Sequence, residues 1–296
     1  LDGDTAVIVG ATIVFIYTVT GGFWAVSVSD VIQGLMMALA SIIVPIAALI
    51  AVGGPSELWS KLSHQPEAYL SLTAGKSGLD GILFVIGLLA IGLGATGQPH
   101  VVNRFMALRS EQDVKLGAWV SISWSLIVFS GMFIVGLCGR VLLDHLGDGE
   151  VVLVRLTTEL FPPVMAGIFV AAILSAIMST ADSQLLVCGS TIAHDLPRSR
   201  KPKIWVDRVA ILFVCIAAVF AALTIAKSVF DSALFAWSAL GAAFGPTLIM
   251  RLLRGPVAPR YILFSIWVGF GVAMTWFFTP ALKGIMNELL PAYLSG

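Results

Sequence analysis

Five consecutive residues, Ser179, Thr180, Ala181, Asp182 and Ser183, set three hydroxyls and a carboxylate inside an otherwise apolar stretch. Ala176, Ser179, Thr180 and Ser183 recur at i, i+3, i+4 and i+7, which places them on one face of a helix. Hydroxyl and carbonyl oxygens are hard ligands, and a small monovalent cation such as Na⁺ would accept two hydroxyls with backbone carbonyls. Ser and Thr in such helices also bond back to the i−4 carbonyl or to a neighbouring helix, so hydroxyls alone do not separate the two readings. Asp182 tips the balance. No basic residue lies near it in the stretch, so a bound cation or a bound proton is favoured over a salt bridge as its partner.

Two further stretches carry groups that do not belong in hydrocarbon. Asp30 lies in GGFWAVSVSDVIQG, either as an interfacial helix N-cap after a break at Gly21-Gly22 or as a buried carboxylate that needs a cation, proton or donor. GLGATGQPH, from Gly92 to His100, packs three glycines, a glutamine and a proline into one apolar span. Such a helix is expected to break there, and its freed backbone groups then line a cavity or merely shape a kink.

The elements that must hold these groups follow from composition. The 296 residues are 58% hydrophobic and 11% charged, against about a quarter charged in a soluble domain, so the chain resides in a membrane. Apolar stretches long enough to cross a bilayer recur at about 5–25, 30–52, 81–100, 117–142, 161–190, 205–226, 231–250 and 260–280. Their continuous apolarity predicts an all-α, polytopic helical bundle of about eight transmembrane helices rather than a barrel. A single transmembrane domain over 1–296 is expected, with no soluble domain between spans.

Taking the connections alternately, one side collects Arg104, Arg109, Lys115, Arg198, Arg200, Lys201, Lys203, Arg208, Arg251, Arg254 and Arg260, and is expected to be cytoplasmic. Both termini then lie outside. The other face holds most of the acids, Asp144 and Glu288 among them. Zero net charge gives no support to a nucleic-acid partner. Cys138, Cys188 and Cys215 read as small buried hydrophobes. His64, His100, His145 and His194 fall in or near connections, and no HExxH, CxxC or GxSxG spacing occurs, so an enzyme is not expected.

In GGFWAVSVSDVIQGLMM (21–37), GLGATGQPHVVNRFMA (92–107), GIFVAAILSAIMSTADSQLLVCGSTIAHDL (167–196) and ALFAWSALGAAFGP (233–246), the chain resembles the sodium/solute symporter family, most closely its sodium/proline branch. The resemblance implies a leucine-transporter-type fold of two inverted five-helix repeats, working by alternating access in a bacterial inner membrane. By that mapping 1–53 ends the first repeat, 81–251 is the second, and 258–282 is an additional helix. The N-terminal helices of the family would then be partners outside this stretch.

The resemblance also implies Na⁺ as coupling ion, no other cofactor, and a small organic solute such as proline or another amino or organic acid. It maps one sodium site onto the Ala176 carbonyl, Ser179 and Thr180, and a second onto Asp30, Ser179, Asp182 and Ser183. Asp182 departs from the family's hydroxyl, which leaves Na⁺ and H⁺ coupling both open there. The solute cavity maps onto Ile91, Gly94, Ala95, Gly97, Gln98 and Pro99, where Ile91 and Ala95 replace aromatics of the proline branch. A symporter-like sensor domain of a signalling protein is the competing expectation.

Overall fold

The computed structural model describes residues 2–143, 147–195, 204–224 and 228–296. Asp144, His145, Arg198, Arg200, Lys201 and Lys203, which entered the charge and histidine readings, lie outside them. The described residues are helical, with no strand among them. In chain order the helices are α1 (Gly3–Val52), α2 (Pro55–Leu62), α3 (Glu67–Leu70) and α4 (Gly78–Ala90). A 3₁₀ segment (Ile91–Gly97) leads to α5 (Pro99–Met106), α6 (Glu111–Leu142), α7 (Val152–Leu160) and α8 (Pro163–Ser190). After them come α9 (Ile204–Thr224), α10 (Val229–Arg254), α11 (Pro259–Phe278), α12 (Pro280–Lys283) and α13 (Leu289–Ser295).

Among the described residues, seven helical stretches are long and apolar enough to cross a membrane, α4 counting together with the 3₁₀ segment that continues it. The first counts twice. At about 1.5 Å per residue its 50 residues would run to roughly 75 Å, more than twice a bilayer core. It is interrupted at Gly22, whose φ of 59° and ψ of −166° lie in a region open essentially to glycine alone. Eight crossing-length segments result, as the hydropathy pattern predicts. The interruption also corrects one reading of Asp30: it is not an N-cap but sits two turns inside the second half of α1, buried. Cys188 is a second correction, since it is exposed whereas Cys138 and Cys215 are buried.

The chain divides into two compact units. The first comprises residues 1–60 and 115–227, in which α8 packs against α1, α7 and α9. Val14, Leu185, Ile211 and Cys215 form its buried cluster, each contributed by one of those spans. His194 Nε2 lies 2.9 Å from Asp207 Oδ1, tying the π-helical end of α8 to the start of α9. The second unit comprises residues 61–114 and 228–296. There α10 packs on the 3₁₀ segment, α11 and α13 through a stripe of small residues, Ser238, Ala239, Gly241, Ala242, Ala243 and Gly245. Small side chains let helix backbones approach closely, which is how helices gain packing energy where lipid removes the hydrophobic drive.

Candidate functional site

In the first unit, the polar run of α8 divides between two environments. Thr180 is exposed and its hydroxyl donates to the Ala176 carbonyl at 3.2 Å, while Ser179 and Ala176 are half-buried. This is the local back-bond available to any membrane-helix threonine. It also sets a hydroxyl and a carbonyl oxygen side by side on an accessible face, each with lone pairs remaining. Ala176 additionally lines a cavity of about 230 Å³ bounded by α1, α6, α7 and α8, whose walls are apolar apart from Ser41 and Thr157.

Two residues beyond Thr180, the helix turns its polar groups inward. Asp182 is fully buried and Ser183 nearly so. The Tyr17 hydroxyl, from the first half of α1, donates to Asp182 Oδ2 at 2.8 Å and lies 3.3 Å from the Met178 carbonyl. Ser183 donates to Asp182 Oδ1 at 3.1 Å and to the Ser179 carbonyl at 2.7 Å. Asp30, from the second half of α1, stands within electrostatic reach of both Tyr17 and Asp182. Candidates from two separate stretches thus meet in one place: Asp30 comes to Asp182 and Ser183, and Tyr17 joins them.

Tyr17 is the member that sequence reasoning missed. A single tyrosine in an apolar span carries no local signal, and its partner is 165 residues away. Hydroxyl partners also answer part of the question that Asp182 posed, because its carboxylate is satisfied by donors without a basic residue.

In the second unit, the glycine-rich stretch breaks as its composition predicts. Residues 91–97 wind as 3₁₀, Gln98 is extended, and Pro99 opens α5 at its first position, where a missing N–H costs nothing. The freed carbonyls are taken up from within. Trp237 of α10 donates its indole N–H to the Ile91 carbonyl at 2.9 Å. Gln98, 2% exposed, donates to the carbonyls of Gly94 at 3.1 Å and Trp237 at 3.0 Å. Thr96 and Tyr293 share a hydroxyl bond of 2.8 Å.

The break rests on α10 backbone to backbone. A Cβ on Gly97 would stand 2.6 Å from the Leu240 carbonyl oxygen, and one on Gly241 would stand 2.7 Å from the Gly94 Cα. Of the six cavity candidates, Gly94, Gly97 and Gln98 are buried against this helix, while Ile91, Ala95 and Pro99 are half-buried. The sequence signal for Trp237 lay in the ALFAWSALGAAFGP stretch, which by itself assigns the indole no partner.

The family model described as "Sodium:solute symporter family" matches residues 1–269. The osmoregulated proline transporter OpuE of Bacillus subtilis is 32% identical over 95% of this chain and 59% of its own length. The high-affinity proline transporter PutP of the same organism is 31% identical over 99% of this chain and 63% of its own. The sodium/proline symporter of Escherichia coli is 31% identical over 99% of this chain and 60% of its own. The chain therefore spans about three-fifths of the length of the curated relatives it matches.

Proposed function

The chain belongs to the sodium:solute symporter family, and from that premise we propose that it works in secondary active transport, coupling entry of Na⁺ to uptake of a small organic solute across a bacterial inner membrane. The observation that carries this reading is a pair of oxygen clusters, one on α8 and one between α8 and α1. One, of Ala176, Ser179 and Thr180, presents hard oxygens on an accessible face. The other, of Asp30, Asp182 and Ser183, holds two carboxylates inside the helix bundle. Carboxylates at membrane depth are expensive and are kept where an ion or proton is handled.

The first cluster serves one Na⁺ and the second serves another. The solute is proline, for which the relatives are named, or another amino or organic acid, and it lies at the break formed by Ile91, Gly94, Ala95, Gly97, Gln98 and Pro99. Residues 1–53 and 81–251 act as parts of two inverted repeats, with 258–282 as an additional helix, and alternating access arises as one set of helices moves against another.

Thermodynamic linkage gives the test: if the solute raises Na⁺ affinity by some factor, Na⁺ raises solute affinity by the same factor. Uptake of radiolabelled proline and a panel of amino and organic acids into proteoliposomes is compared in sodium and choline media. Equal uptake in the two media overturns sodium coupling, and a sodium-dependent signal for one solute identifies the cargo.

A further inference from the structure

Two polar groups near the Asp30–Asp182 cluster, one beside Asp182 and one beside its donor, have no role in the assignment above. Gln33 follows Asp30 by three residues, which places the two as neighbours on one face of α1. Its side chain lies beside the Tyr17 hydroxyl, yet its Oε1 is buried and accepts no hydrogen bond among the described residues. A buried acceptor left without a donor costs about 1–3 kcal/mol, and an amide oxygen is the neutral hard ligand that a small cation takes. The second group is Tyr17 itself, which reaches across from α1 to α8.

We propose that Gln33 and Tyr17 complete the second monovalent-cation site: Gln33 Oε1 is a neutral ligand, and Tyr17 is a positioning residue acting through Asp182. This rests on the reading that Asp30 and Asp182 flank a bound Na⁺. An ionised carboxylate offers about four acceptor positions. Tyr17 and Ser183 use one on each oxygen, so Asp182 is held in a single orientation with positions to spare for a cation. Groups that orient a ligand without touching the ion characteristically weaken binding by roughly 10- to 100-fold when removed. Because the first and second halves of α1 supply Tyr17 and Gln33 while α8 supplies Asp182, a cation held here draws three segments together.

The test is equilibrium binding of ²²Na⁺ to the purified transporter in lipid nanodiscs, in wild type and in a Thr180→Ala background that isolates the second site. Gln33→Leu is expected to weaken the surviving site about tenfold, equivalent to roughly 1.4 kcal/mol. Gln33→Glu, which keeps an oxygen at similar reach, is expected to retain binding, and this serves if Gln33→Leu does not fold. Tyr17→Phe is expected to weaken the site about tenfold, but to have no further effect once Asp182→Ser is present, because it acts through that carboxylate.

Wild-type affinity in both Gln33→Leu and Tyr17→Phe overturns the proposal, as does an equal Tyr17→Phe effect with and without Asp182. Weaker binding in Gln33→Glu than in Gln33→Leu also overturns it. Absence of saturable Na⁺ binding in wild type is a different result, because it removes the sodium reading on which the proposal stands.

Discussion

The Tyr17 hydroxyl donates to Asp182 Oδ2 at 2.8 Å, joining the first half of α1 to the middle of α8. The carboxylate that receives it is fully buried, so this bond is made away from water. Its partner oxygen is occupied by Ser183, one residue along the same helix. The arrangement satisfies a buried carboxyl in an apolar span with hydroxyl donors, and separates its chemistry from that of exposed Thr180 two residues earlier.

Thr180→Ala and Ser179→Ala are expected to raise the Na⁺ concentration for half-maximal uptake by about tenfold. Because Thr180 is exposed and, among the described residues, bonds within its own helix, the cost in stability should stay within about 0.5 kcal/mol. Asp30→Asn should impair coupling. Uptake measured against Na⁺ concentration, paired with thermal unfolding in detergent, checks all three; unchanged sodium dependence throughout would remove the site assignment.

Trp237→Phe keeps a ring against the 3₁₀ segment but leaves the Ile91 carbonyl without its indole donor. The expected loss is about 1–3 kcal/mol, read as a lowered unfolding temperature. Gln98→Leu should cost more, since two carbonyls lose their donor together. A Trp237→Phe protein as stable as wild type would show that the bond is dispensable to the break.

Gly97→Ala is expected to abolish folded protein or lower its yield severely, because the new Cβ meets the Leu240 carbonyl and the Gly241 backbone, which have no rotamer through which to yield. Gly92→Ala, five residues earlier with nothing within 4 Å of the added carbon, should be tolerated. Expression and monodispersity of the two variants form the comparison.

Gly22→Ala isolates backbone strain. Nothing lies within 4 Å of the added carbon, so the expected penalty of about 1–3 kcal/mol comes from the left-handed φ of 59° alone. Wild-type thermal stability in this variant would mean that the interruption of α1 does not depend on that conformation.

Much of the architecture was legible because lipid imposes a simple rule. A span must satisfy its backbone internally and show the bilayer apolar side chains, so hydropathy alone yields eight crossings, and Gly92–Pro99 declares a break by composition. Asp30 was less legible. Its neighbours allow either an interfacial cap or a buried carboxylate, and only the helix running unbroken from Gly22 past it decides between them. Trp237 and Tyr17 were illegible for a related reason: each matters through one hydrogen bond to a partner far along the chain.

The amino-acid order alone determined the membrane class, the number of apolar crossing-length stretches and the polar run on α8, because these depend on composition and local period. Tertiary structure decided which polar groups meet. It split Ser179–Ser183 into an exposed face and a buried one, brought Tyr17 and Asp30 to Asp182, and set Gln33 beside Tyr17. The physical reason is that helical period fixes only which residues share a face, whereas the neighbour that face receives is set by packing of distant helices, and a buried carboxylate takes its chemistry from that neighbour.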